Sequence, residues 1–256
     1  MLIRLLPFVV YCLILLFSVS KGLAQEKNVT TDERVLRFNS GDTGTWIPWT
    51  ADPDNNEPGI FQEITALILN EAGFVSEPTI LSTKRAIRAL ENGVIDFDFV
   101  NPDWFPEGKV GDEFSFTQPV IMVKEYFITL PAKKDEIKTT DDIYGDVVGT
   151  ILGYYYYDDS RFKRMDFVSE RGLVVGLSKR RFDVAILEEM TARYWSRKTK
   201  VDIHFAVAHT SGYMVMRLNK AKARFVPDLN RAIVRLKQDK KLEHVLDKYR
   251  QLYDFY

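Results

Sequence analysis

The sequence predicts an α/β protein built as two lobes of similar design, and three observations carry that expectation. Strand-like and helix-like patterns alternate from Val35 onward. The alternation restarts in the second half, where "RALENGVIDFDFV" and "VGLSKRRFDVAIL" each run from a helix through a polar turn to an aspartate (Asp96, Asp183) and an apolar run. Between the blocks, "FSFTQPVIMVKEYFITLPA" has no helical period and carries Pro119 and Pro131, so it reads as extended chain crossing from one lobe to the other. Two successive βαβ-type blocks are the grammar of a layered α/β fold.

The first two dozen residues stand apart from this pattern. Arg4 supplies a positive start, Leu5 to Val19 are almost unbroken apolar residues, and "SKGLA" brings small residues before Gln25. This is the form of a secretory signal peptide, residues 1–24, cleaved after Ala24. An uncleaved anchor is the rival, but a spanning helix needs about 20 apolar residues and this run is shorter. Cys12, the one cysteine, lies inside the run behind Val10 and Tyr11, not behind the small residues that precede a lipid-modified cysteine. The mature chain then has no thiol and no disulfide, and it depends on its core for stability. Residues 25–256 suffice for two lobes of about 100 residues each.

Along the mature chain, "VLRFNSG" reads as a strand. "GIFQEITALILNEAG" reads as a helix with Ile60, Ile64, Leu67 and Ile68 on one face, stopped at Gly73. "FVSEPTIL" is strand-like despite its proline. "STKRAIRALENG" is a short helix capped by Ser82 or Thr83 and stopped at Gly93, and "DFDFV" returns as a strand. Downstream, "VVGTI" is a strand, Ser169 to Arg180 a helix and "FDVAIL" a strand. At the C-terminus, Val226, Leu229, Ile233 and Leu236 form one helical stripe, and Leu242, Val245, Leu246, Tyr249 and Leu252 a second. Both stripes are core-facing, and a turn or helix-end role is expected for Asp96 and Asp183.

Composition narrows the chemistry. Without Arg4 and Lys21 the mature chain has 33 basic against 36 acidic residues, a net charge of −3. It has no long basic run, so nucleic acid is not an expected partner. His204, His209 and His244 have no spacing that puts two on one helical face as a zinc pair. There is no G-x-S-x-G elbow. "SRFK" (Ser160 to Lys163) matches S-x-x-K, but the S-D-N and K-T-G partners that such enzymes require are missing. No cofactor, metal or catalytic residue is assigned.

The order of elements resembles the periplasmic solute-binding proteins of family 3, the receptors of polar amino-acid importers. The resemblance covers nearly the whole mature chain. It rests on "IPW", "PGIFQEITALILNEAG", "ALENGVIDFDFV" and "FSFTQP", and, beyond the crossover, on "TTDDIYGDVVGTILG", "RFDVAILEE" and "LNRAIVRLKQDKKLEHVLDKY". It implies a type II periplasmic-binding-protein-like fold: two α/β lobes joined by two crossover strands, with the ligand shut between them by hinge closure. Lobe 1 would then comprise residues 25–122 and 211–256, and lobe 2 residues 123–210.

The same resemblance points to site residues. The first loop supplies an aromatic wall, Trp46 and Trp49, and the turn after "DFDFV" supplies Asn101 and Asp103. Where the family places a carboxylate-gripping arginine, this chain reads "WFPEGKVGDEF", leaving Lys109 or Arg85 as the source of positive charge; a lysine is not equivalent to a bidentate arginine. The turn "TILGYYYY" carries Tyr154 and Tyr155 at the family's two small hydroxyl positions. Both are expected to face the cleft, with one or both of Tyr156 and Tyr157 packing. The family's ammonium-binding aspartate falls on Glu188, with Glu189 a near competitor. The implied protein is a periplasmic monomer that binds a small polar, amino-containing solute for an ABC permease. Two alternatives stay open: an enzyme on the same scaffold, dehydratase-like and acting on a cyclic amino acid, and a sensing receptor uncoupled from transport.

Overall fold

The structure, a computed structural model, describes residues 34–41 and 45–255. The expected signal peptide lies outside the described residues. In chain order the elements are β1 (Val35–Asn39), α1 (Ile60–Ala72), β2 (Val75–Thr79), α2 (Thr83–Glu91), β3 (Phe97–Val100), β4 (Phe114–Phe116), β5 (Ile121–Thr129), β6 (Val147–Ile151), β7 (Lys163–Phe167), α3 (Glu170–Ser178), β8 (Val184–Glu188), α4 (Glu189–Thr199), β9 (His204–Asn219), α5 (Val226–Gln238) and α6 (Lys241–Leu252).

The strands hydrogen-bond in the order β2-β1-β3-β9-β5-β8-β6-β7, with β4 also on β9. β1 pairs in parallel with β2 and β3, and β6 pairs in parallel with β7 and β8. Each group is thus a βαβ-type unit, as the repeated sequence blocks predict. Pro78 is tolerated in β2 because that strand is an edge and pairs only with β1.

The two groups are tied together by β5 and β9. The C-terminal part of β9 pairs with β3 and β4, and its N-terminal part runs antiparallel to β5 from Met214↔Ile121 to His204↔Thr129. The ladder slips in the middle: Glu125 opposes Thr210 while Tyr126 opposes Ala208, leaving His209 as the extra residue of a bulge.

Apolar burial follows the same division. One cluster packs Leu36 and Phe38 of β1 against Ile60, Ile64 and Ile68 of α1 and against Leu229 and Ile233 of α5, with Tyr249 of α6. Another packs Ile128 of β5 and Ile151 of β6 against Leu173 and Leu177 of α3 and Trp195 of α4. Each fully buried aliphatic side chain contributes about 1.5–3 kcal/mol, so the stripes read as core-facing in the sequence are the main stabilising surfaces, except that Leu252, in the last turn of α6, is exposed. Tyr249 adds a polar tie, its hydroxyl donating to Glu63 at 2.7 Å and accepting from the Gly59 N–H at 3.0 Å. Gly59 stands at the start of α1 with φ 88°, and a Cβ there would lie 2.3 Å from the Thr50 carbonyl carbon. Only glycine fits.

Asp96 and Asp183 match in sequence but not in environment. Asp96 is buried, accepting from the Arg37 N–H at 2.8 Å and pairing with its guanidinium at 3.0 Å, whereas Asp183 is exposed near Lys133 at 3.4 Å. Asp96 therefore anchors the β1–β3 seam, a larger role than the turn function expected of it.

Candidate ligand-binding site

A cavity of about 140 Å³ opens where β3, β5 and β9 meet the loop 45–50, the start of α1, the segment after β3 and the turn after β6. Its walls are mainly aromatic. Trp46 is the hub, with ring centroids 5.1 Å from Phe61, 5.8 Å from Trp104 and 6.2 Å from Tyr154. Phe61 stacks on Phe99 at 4.9 Å, and Phe105 meets Tyr155 at 4.6 Å. Trp46 adopts φ 50°, an uncommon conformation for a bulky residue, and its carbonyl accepts from the Trp49 and Thr50 N–H groups at 2.8 and 3.2 Å.

The charged residues bordering the cavity are Asp98, Glu125 and Arg217. Asp98 and Arg217 are directly opposed across β3 and β9, so both side chains project on one face. Arg217 grips Asp98 in a two-pronged fork, Nε to Oδ1 at 3.0 Å and Nη2 to Oδ2 at 2.7 Å. Burial works against the guanidinium's charge, but the Asp98 carboxylate outweighs it and pushes the Arg217 pKa up. Glu125 is buried, and its Oε2 accepts from the Thr210 hydroxyl at 2.6 Å.

The turn after β6 supplies the tyrosines. Gly153 takes φ 89°, a left-handed conformation that turns the chain so that Tyr154 and Tyr155 both border the cavity. The Tyr154 hydroxyl donates to Glu170 Oε1 at 2.8 Å, and its pKa is raised well above normal by burial and by that carboxylate. Tyr155 is half exposed and leans on Phe105. Tyr156 is buried, its hydroxyl accepting from the Ile151 N–H at 3.0 Å, and Tyr157 stacks on His209 at 5.0 Å.

Of the residues singled out in the sequence, the structure brings Trp46, Tyr154 and Tyr155 to the cavity. Others sit elsewhere. Trp49 and Glu188 are buried against each other, the indole N–H donating to Glu188 Oε2 at 2.7 Å. The same oxygen accepts from the Thr191 N–H at 2.9 Å, making Glu188 the cap of α4. Burial pushes the Glu188 pKa up to about 7 against these hydrogen bonds. Glu189 pairs with Arg193 along α4 at 2.9 Å. Asn101 is buried and accepts from the Asp103 N–H at 3.0 Å, while Asp103 is exposed. Arg85 is exposed on α2, and Lys109 is exposed and pairs with Glu107. None of these seven residues borders the cavity.

Sequence reasoning missed Asp98, Glu125, Arg217 and the two aromatic residues Trp104 and Phe105. Asp98 and Phe99 lie inside the quoted "DFDFV", where strand alternation already put them on opposite faces. Glu125 and Arg217 needed the pairing register. Among the described residues no group of acids and histidines is arranged to hold a metal ion, and no helix is long and apolar enough to cross a membrane.

Comparison with known proteins gives neither a matching family model nor a matching curated protein. Solved structures do match over most of the chain. A variant of ArgBP from T. maritima aligns at TM-score 0.68 and 17% identity, covering 86% of this chain and 96% of that one. AbpA from Streptococcus pneumoniae, an amino acid ABC transporter substrate-binding protein bound to L-arginine, aligns at TM-score 0.67 and 15% identity, covering 87% and 97%. An ancestral amino-acid-binding protein described as a precursor of cyclohexadienyl dehydratase aligns at TM-score 0.67 and 18% identity, covering 86% and 99%. The fold of this chain is that of the amino-acid ABC-transporter substrate-binding proteins.

Proposed function

We propose that the protein binds a small polar, amino-containing solute in the aromatic cavity and does not alter it chemically. One observation carries the reading: the cavity combines π-faces from Trp46, Trp104 and Tyr155 with the Glu125 carboxyl, the acidic group on its border that the Asp98–Arg217 fork leaves over. Aromatic faces attract cations, and more strongly in a desolvated site. A largely preformed apolar pocket with a few placed polar groups is the usual form of a small-molecule site. Shared fold with amino-acid-binding proteins supports the same class of solute. In this reading the residues on either side of β5 and β9 act as two lobes that close on the solute. A signal peptide delivers a monomer to the periplasm, where it hands the solute to an ABC permease.

The test is a thermal-shift screen of the purified chain from Gln25 onward against amino acids, polyamines, dicarboxylates and sugars. Ligand at 100 times its Kd adds about 2.7 kcal/mol of stability. An amino-containing solute should shift the melt and be recovered unchanged. Shifts from dicarboxylates or sugars alone would refute the reading, and turnover of the solute would move it to an enzyme.

A further inference from the structure

Behind one wall of the cavity lies a buried polar cluster drawn from three elements. The bulge between β5 and β9 leaves His209 without a cross-strand partner and turns its ring into the interior, where its side chain has no exposed surface. Nε2 lies 2.8 Å from Asp158 Oδ1, on the stretch after β6, and Nδ1 lies 3.5 Å from Glu125 Oε2, on β5. Thr210 donates to that same Glu125 oxygen, and the Tyr144 hydroxyl donates to Asp158 Oδ2 at 3.1 Å. The rings of Phe127, Tyr156 and Tyr157 enclose the imidazole.

Burial lowers the affinity of this ring for its proton, but the two carboxylates more than compensate and push its pKa up to about 9. The imidazole is thus held between two carboxyl groups, one on each ring nitrogen's side. Asp158 is buried away from the cavity, whereas Glu125 borders it. The other cavity carboxylate, Asp98, is already matched by the Arg217 fork.

We propose that Glu125 is the carboxylate that receives the cationic group of the solute, and that His209, lodged in the bulge behind it, is its positioning residue. This rests on the reading of the cavity as a solute site and names its recognition group. The Thr210 hydroxyl donates to one carboxyl oxygen and the His209 ring stands 3.5 Å behind that same oxygen, which fixes the acid at the cavity wall.

Calorimetric titration of wild type, Glu125→Gln, His209→Gln and the double variant, with L-arginine, putrescine and succinate as probes, tests this. Glutamine keeps an acceptor for Thr210 and removes the charge, and a melting curve on each variant shows that it is folded at the titration temperature. Glu125→Gln should weaken L-arginine or putrescine about 10- to 100-fold, the loss of one charged hydrogen bond. His209→Gln should weaken them less, and the double variant no more than Glu125→Gln alone, because a positioning residue has nothing to position once the acid is gone. Amine binding left intact in Glu125→Gln would overturn the assignment while the functional reading stood. A wild type that took succinate but neither amine, or none of the three, would remove both. If His209→Gln does not fold, NMR titration of the His209 ring decides its role. The midpoint should fall in Glu125→Gln, and an unmoved midpoint would overturn the positioning role.

Discussion

Replacing Glu188 by Gln should remove a pH-dependent loss of stability that wild type carries between about pH 5 and 8. Glu188 is 4% exposed, and its carboxyl is pushed from the ordinary 4.5 up to about 7 by burial, against the hydrogen bonds from the Thr191 N–H and the Trp49 indole. A carboxyl whose folded pKa is raised favours the folded state while it is protonated. That contribution is fully present below pH 4.5 and disappears as pH rises through about 7. A shift of this size corresponds to about 3 kcal/mol between the two limits. Glutamine can accept both hydrogen bonds through its amide oxygen and never ionises. The difference in urea unfolding free energy, Glu188→Gln minus wild type, should therefore rise by about 3 kcal/mol between pH 4.5 and pH 8. Taking the difference cancels every other titrating group, His209 included. Glu188→Ala separates charge from hydrogen bonding: it leaves the Trp49 and Thr191 donors buried and unpartnered, and each such donor costs about 1–3 kcal/mol at any pH. A Glu188→Gln difference that stayed flat across this range, or fell with pH, would refute the reasoning.

Four further outcomes are expected. Arg217→Met leaves the Asp98 carboxyl, whose pKa burial already raises, unpaired in a buried site and should cost about 3–5 kcal/mol in urea unfolding, with adding Asp98→Asn recovering most of the loss. The stability that wild type owes to His209, measured against His209→Gln, should be fully present below pH 6.5 and disappear as pH rises through about 9, since the folded pKa is raised. Tyr155→Phe should weaken solute binding by about 0.5–1.5 kcal/mol if a neutral hydrogen bond is lost, and Tyr155→Ala by more, with calorimetry and melting curves separating affinity from folding. Gly153→Ala should lower stability by about 1–3 kcal/mol through backbone strain, because its Cβ would meet only Lys84 at an ordinary 3.5 Å.

Local pattern carried much of the fold in the sequence. The helical stripe around Ile64 and Ile68, the stripe around Leu229 and Ile233, and the repeated blocks ending in "DFDFV" and "FDVAIL" all correspond to elements of the structure. β9 was not legible. Its sixteen residues carry His209, Thr210, Ser211 and Gly212 at the centre, beside the bulge, and the strand changes partners from β5 to β3 between Met214 and Val215, so no single face alternates along its length. β7 escaped for a similar reason, since "KRMDF" is a mostly polar strand at the sheet edge.

At the site, single-strand reasoning located the tyrosine turn because Gly153 and the apolar run before it are adjacent in sequence. It could not locate groups defined by register. Glu188 and Glu125 are directly opposed across β8 and β5, yet only Glu125 borders the cavity while Glu188 packs against Trp49. Arg217 likewise reaches Asp98 from a strand 119 residues away.

The most direct measurement is a crystal structure of the protein with the amine that gives the largest thermal shift. We expect the solute in the cavity with its carbon skeleton against Trp46 and Tyr155, and its cationic group within hydrogen-bond reach of Glu125. A solute bound outside this cavity, or one whose anionic end faces Glu125, would contradict the proposed function.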